Sequence, residues 1–218
     1  MKIIITGATG FVGGEVVRQA IADPRISHAF VLTRKPLPDE FSKNEKVTVI
    51  EHKDFSSYPP ELLEQLTGAE GCIWAIGGRA YQFPDLETAK KVSIDYTIAG
   101  AKAFLEVLAP KLPEPQKFRF VFCSGKYAEW DQNKSLLLLK DTRLIKGQVE
   151  KSLCELADAN KDKLEVWAVR PSAITKKHAP LINSIGLISV DRLAKAMLKI
   201  VTEGYHNRII ELDELVKM

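Results

Sequence analysis

Residues 2–14 read Lys2-Ile3-Ile4-Ile5-Thr6-Gly7-Ala8-Thr9-Gly10-Phe11-Val12-Gly13-Gly14, and this stretch decides the fold. Three consecutive isoleucines make a short strand that is apolar on both faces, as a central strand of a parallel sheet must be. Gly7, Gly10 and Gly13 follow at once. The first permits a sharp turn out of the strand, the second lets a ligand approach the backbone, and the third lets the next helix pack closely. The helix starting near Phe11 turns its free amides and positive end toward the glycine turn, where an anion is stabilised. Strand, glycine turn and helix in this order predict a seat for the pyrophosphate of a dinucleotide, with Thr9, Phe11 and Val12 among its contacts beside the three glycines.

Outward from this unit, short apolar runs alternate with longer helix-like segments, the pattern of βαβ units around a parallel sheet. Strands are expected at 2–6, 29–34, 47–51, 71–75, 118–124, 164–169 and 208–212, and helices near 11–22, 60–66, 86–109, 142–159 and 190–203. Ser189 is the candidate N-cap of the last helix, whose apolar residues Val190, Leu193, Ala194, Met197 and Val201 share one side. The expected class is α/β: a doubly wound, mostly parallel seven-stranded sheet with helices on both faces, forming one domain over 1–218. Two stretches break the rhythm after the fifth and sixth strands, 126–141 and 175–188. Segments beyond strand C-terminal ends wall the ligand crevice of such sheets, so these form the expected substrate side. Leu136-Leu137-Leu138-Leu139 is either part of that wall or apolar cover for the core.

With 45% hydrophobic and 27% charged residues the composition is that of a soluble globular protein. Thirty-one basic residues against 28 acidic ones leave a net charge of +3, too small an imbalance to argue for nucleic acid or an anionic membrane. Cys72, Cys123 and Cys154 lack the spacing of a metal knuckle or redox couple. The expectation is a cytoplasmic protein in a reducing compartment. His28, His52 and His206 fall in different elements, so no metal site is expected.

The second strand ends Leu32-Thr33-Arg34-Lys35. A carboxylate there would accept a hydrogen bond from a free ribose 2′-hydroxyl, whereas Arg34 suits a 2′-phosphate, so NADPH is favoured over NADH.

The spacing G-x-x-G-x-x-G, with Thr6-Gly7-Ala8-Thr9-Gly10, resembles the extended and atypical short-chain dehydrogenases. The likeness continues through Val92-Ser93-Ile94-Asp95-Tyr96, Cys123-Ser124-Gly125, Lys146-Gly147-Gln148-Val149-Glu150, Arg170-Pro171-Ser172 and Val190-Asp191-Arg192-Leu193-Ala194. The short length and the Lys-Gly-x-x-Glu helix look most like the small reductases of the Tat-interacting-oxidoreductase and NmrA-like kind. This resemblance implies a Rossmann-like NAD(P)-binding domain. It also implies that Asp54 and Phe55 flank the adenine, that Ala75, Ile76 and Gly77 pass along the cofactor, and that Pro171, Ser172 and Ala173 neighbour the carboxamide.

Members of that superfamily place a Ser or Thr after the fifth strand and a Tyr and Lys four residues apart on the next helix. Residues at i and i+4 share one helical side, so the Lys can hold the nicotinamide ribose while acidifying the Tyr that protonates a carbonyl. Ser124 and Lys146 match, but Thr142 stands where the Tyr belongs. A threonine hydroxyl is far harder to ionise than a phenol. Tyr127 is the nearest phenol in sequence, and His178 is a second group able to carry a proton. Three functions follow: reduction of a small carbonyl or enone by a non-standard site; NADPH binding without turnover, as a redox sensor or scaffold; or isomerisation, cyclisation or elimination in a reused cofactor pocket. The expected partner is a small-molecule substrate or none, and the protein is a monomer or homodimer.

Overall fold

The computed structural model describes residues 1–176 and 186–218. Its strands and helices are, in chain order, β1 (Lys2–Thr6), α1 (Phe11–Ala22), β2 (His28–Thr33), α2 (Asp39–Ser42), β3 (Val47–Glu51), α3 (Pro60–Gln65), β4 (Gly71–Trp74), α4 (Leu86–Lys90), α5 (Tyr96–Val107), β5 (Phe118–Cys123), α6 (Lys140–Ala159), β6 (Leu164–Arg170), β7 (Ala173–Thr175), β8 (Leu187–Ser189), α7 (Val190–Glu203), β9 (Ile209–Glu211) and α8 (Leu212–Leu215). The isoleucines of β1 place it centrally: Ile3 and Ile5 join one apolar core and Ile4 the other, all fully buried. Ile4 pairs with Phe30 of β2 on one side and Cys72 of β4 on the other. The seven-stranded sheet runs β3-β2-β1-β4-β5-β6-β9, and every neighbouring pair is parallel.

Helices cover both faces. On one, Val16, Val17 and Ala20 of α1 pack with Leu193, Met197 and Val201 of α7 against Ile3, Ile5, Val31 and Val121. On the other, Leu62 of α3, Phe104 of α5, and Val149 and Leu153 of α6 pack against Ile4, Leu32, Trp74 and Phe120. Each such buried aliphatic or aromatic side chain contributes roughly 1.5–3 kcal/mol.

The expected strands and longer helices are present with ends shifted by at most a few residues. Three differences matter. The expected 86–109 helix is interrupted at Lys91–Asp95 by a π-helical turn, a local widening that commonly occurs at functional sites. A separate parallel pair, β7 with β8, follows the exit of β6. Ser189 occupies the N-cap position of α7 without a side-chain capping bond. Of the expected segment 175–188, residues 177–185, including His178, lie outside the described residues.

The Leu136–139 run is not core. Leu137 is fully exposed, and Leu138 and Leu139 are more than half exposed. The sheet face nearby is already covered by α6, and Leu139 adopts a left-handed backbone (φ 53°) at the helix entry, which leaves the run outside. Among the described residues, no helix is long and apolar enough to cross a membrane.

Candidate cofactor and active site

The strand order changes direction between β1 and β4, which opens a crevice beyond their C-terminal ends. The chain leaves β1 at Gly7 with φ +70°, and a Cβ there would lie 2.5 Å from the Ala75 carbonyl oxygen. A Cβ on Gly13 would lie 2.2 Å from the Gly7 carbonyl oxygen, so this glycine docks α1 onto the turn itself. Gly10 caps α1 without a side chain, and the first helical bond runs from Gly14 N–H to Gly10 O at 3.0 Å. The amides of Phe11, Val12 and Gly13 therefore precede the helix's own hydrogen bonding, and these residues line the crevice. A bare-backbone cradle at a helix N-terminus fits a pyrophosphate.

Two hollows meet across this turn, both walled by Ile76. The larger, a cleft of ≈ 640 Å³, is bounded by residues 10–13, Ala75 to Arg79, Cys123 to Ala128, Thr142, Lys146 and Pro171 to Ile174. The smaller, ≈ 120 Å³, is bounded by Gly7, Thr9, Arg34, Lys35, Phe55, Val92 and Tyr96. The π turn supplies Val92 to it. Arg34 and Lys35 are exposed at its edge, and no carboxylate lines it. Phe55 forms wall and core at once, packed edge-on against His52 and Trp74. Asp54 does not line the hollow: its carboxylate accepts bonds from the Ser56 hydroxyl (2.5 Å) and amide (3.0 Å), which hold it below the usual carboxylate range.

At the other end the structure brings Ser124, Tyr127, Thr142 and Lys146 to the large cleft, each in its own circumstances. The Lys146 ammonium donates to the carbonyls of Ser124 (2.7 Å) and Cys123 (3.4 Å). Burial lowers its pKa, partly opposed by the nearby Glu150. The Ser124 hydroxyl donates to Glu150 Oε1 at 2.5 Å. Glu150, wholly buried, also accepts from Trp130 Nε1 (2.8 Å) and from Arg170 Nε (2.9 Å) and Nη2 (2.5 Å). Arg170 in turn reaches Glu211 at 2.9 Å. Thr142 is buried, and its Oγ1 accepts the Ala80 N–H at 2.8 Å, tying the β4–α4 loop to α6. Tyr127 is 63% exposed at the rim with φ 65°, its ring 5.0 Å from the Lys126 ammonium and 5.7 Å from the Arg143 guanidinium. Pro171, Ser172 and Ala173 line the far wall. The Pro171 carbonyl accepts Lys126 N–H at 2.8 Å, and the Ser172 hydroxyl donates to the Gly186 carbonyl.

The residues not anticipated from sequence are Glu150, Trp130 and Arg170, together with the cations Arg79, Lys126 and Arg143. The signal for the first was present in Lys146-Gly147-x-x-Glu150, since i and i+4 share a helical side. Gly147 belongs to the same device: a Cβ there would fall 1.8 Å from the Glu129 carbonyl oxygen. Among the described residues, no group of three or more His, Cys, Asp or Glu could hold a metal ion.

A family described as NAD(P)H-binding matches residues 7–203. Protein T of the leucinostatins biosynthesis cluster of Purpureocillium lilacinum is 34% identical over 129 residues, 57% of this chain and 42% of that protein. An NmrA-like family domain-containing protein of Dictyostelium discoideum is 22% identical over 171 residues, 78% of this chain and 50% of that protein. The chain thus spans half or less of the length of these relatives. Yeast methylglyoxal/isovaleraldehyde reductase Gre2 complexed with NADPH superposes with a TM-score of 0.74 at 17% identity, over 96% of this chain and 78% of that one, a likeness of fold. The glycine cradle, the two hollows and these similarities lead to one assignment: the chain belongs to the NAD(P)H-binding family and has a Rossmann-like fold.

Proposed function

We propose that this protein is an NADPH-dependent reductase of a small carbonyl or enone compound, working without the usual phenol. The observation that carries this is the Lys146 ammonium, held in the cleft by strand-end carbonyls with its pKa lowered by burial. NADPH, when bound, supplies a hydride to the substrate carbon. Phe11 to Gly13 would hold its pyrophosphate and Arg34 its 2′-phosphate. Lys146 keeps a proton at Nζ beyond the two bonds it makes to backbone, and delivers it to the carbonyl oxygen; solvent then restores it. Ser124 cannot be the donor while its hydrogen is committed to Glu150, so its free lone pair accepts from the hydroxyl being formed.

Lys146→Met is expected to lower turnover by about a hundredfold or more, the usual contribution of a positioned acid, while calorimetric titration still registers NADPH. Turnover at the parent rate in that variant would exclude Lys146 as the donor. Arg34→Ala is expected to weaken NADPH by roughly tenfold or more through loss of a charge-assisted contact, with NADH affinity unchanged. Equal losses for both nucleotides would remove the assignment of Arg34 to the 2′-phosphate.

A second function is favoured by a specific pair of contacts. The hydroxyl of Thr142 is engaged with Ala80 and that of Ser124 with Glu150, an arrangement that also suits NADPH binding without turnover, as in a redox sensor. Tight NADPH binding combined with no NADPH consumption across a broad carbonyl panel would select it.

A further inference from the structure

Among the described residues, four charged side chains line the large cleft, Arg79, Lys126, Arg143 and Lys146, and all are cations. Most arginines elsewhere are paired with acids: Arg18, Arg25, Arg119, Arg170 and Arg208 each lie within 3.3 Å of a carboxylate. Three of the cleft cations instead have neutral hydrogen-bond or ring partners. Arg79 Nη1 donates to the Tyr81 hydroxyl at 2.6 Å, Arg143 Nε donates to the Tyr127 carbonyl at 2.9 Å, and Lys126 stands over the Tyr127 ring. Glu129, close enough to Arg143 to feel its charge, does not line the cleft, and its carboxylate is bonded to Lys134 at 2.5 Å.

Gathering like charges around a cleft that no described carboxylate lines costs free energy unless a ligand supplies the opposite sign. The anions of the cofactor do not account for them, because the pyrophosphate has the amides of α1 and the 2′-phosphate has Arg34. Lys146 is accounted for by the proton it holds. Three cations from three segments remain: the loop after β4, the segment after β5 and the first turn of α6. Beside them, Phe11, Tyr127 and Leu139 line the same cleft although each is more than half exposed. Apolar side chains left at a cleft mouth mark a place where apolar ligand surface settles.

We infer that the substrate is an anionic carbonyl compound, an oxo acid with an apolar body, its carboxylate held by Arg143 with Lys126 and Arg79 and its body against Phe11, Tyr127 and Leu139. This rests on the reductase function proposed above and narrows its substrate class. Arg143 presents the remaining N–H groups of its guanidinium for bidentate pairing with a carboxylate.

The test uses phenylglyoxylate and its methyl ester, which share the carbonyl and the ring and differ in charge. Calorimetric titration into the NADP⁺-loaded protein reads binding where no hydride is available. The acid is expected to bind about tenfold or more tightly than the ester, and the gap to shrink with added salt. Arg143→Gln is expected to abolish the gap, Arg143→Lys to retain part of it, and Lys126→Gln to reduce it in a chain whose Tyr127 support is intact. Equal affinity for acid and ester, or an acid affinity that none of Arg143→Gln, Lys126→Gln and Arg79→Gln alters, overturns the inference. NADPH consumption separates the two layers. Charge-dependent binding of the acid without NADPH oxidation retains the anion site and removes the reductase, whereas oxidation as fast with the ester as with the acid retains the reductase and removes the anion site.

Discussion

Gly147 shows how much a residue without a side chain can control. It stands in α6 between Lys146 and the turn that bears Glu150, and the segment carrying Tyr127 crosses the helix at this point, with Glu129 N–H bonded to Arg143 O at 2.9 Å. In an unobstructed helix, alanine would be the better former by about 1 kcal/mol. Here its methyl group would meet the Glu129 backbone at 1.8 Å, and overpacking against backbone outweighs propensity. Gly147→Ala is expected to cost a net ~2 kcal/mol, read as a lower urea midpoint with unchanged slope. A gain in stability would mean that the crossing is looser than described. The glycines of the first turn were legible in sequence because their spacing has a local reason; the need for Gly147 was not, because its cause lies eighteen residues away in a loop.

At the scale of elements, α6 is the organiser of the active end. One of its sides supplies Thr142 to the β4–α4 loop, Lys146 to the end of β5, and Glu150 to Ser124, Trp130 and Arg170. Glu150→Gln keeps the shape but leaves Arg170, only 15% exposed, with Glu211 as its one remaining ionic partner among the described residues. Removing one member of a buried pair costs about 3 kcal/mol or more, so a marked loss of stability is expected. The double variant Glu150→Gln, Arg170→Met should recover part of it, and failure to recover would show that the charge of Arg170 is not the cause. The central strands were legible because burial on both faces leaves continuous apolar runs such as Ile3–Ile5. The four-residue helices α2 and α8 are too short for a period to register, and the three-residue strands β7 and β8 are defined only by each other. The Ser124–Glu150 contact escaped notice for the same reason: it joins a strand end to a helix 26 residues on.

For the molecule as a whole, two histidines tie stability to pH. Burial lowers the pKa of His52, 9% exposed beside Phe55, against a weaker opposing influence from Asp54; burial, then Lys2, lowers that of His28. The unfolded chain therefore binds more protons than the native one between the depressed native values and the unfolded value of about 6.5. The histidines' contribution is fully present above pH ~6.5 and is lost as pH drops below it. The thermal midpoint is expected to fall between pH 7.5 and 5.5, and His52→Gln to flatten that dependence; an unchanged slope in the variant would assign the loss to other groups. At this scale the seven-stranded plan was open to reading from strand and helix alternation. The charge pattern of the cleft was not, since an arginine is recognised as unpaired only when its spatial neighbours are known.

The hydrogen bond from Ala80 to Thr142 bears on how readily the site could be redesigned. A tyrosine introduced at 142 would supply a phenol, but it would set a ring against the Ala80 turn and remove the hydroxyl that holds that turn. Installing the phenol therefore calls for a second change in the 79–82 loop. Threonine and loop act as one unit, and neither is exchanged alone.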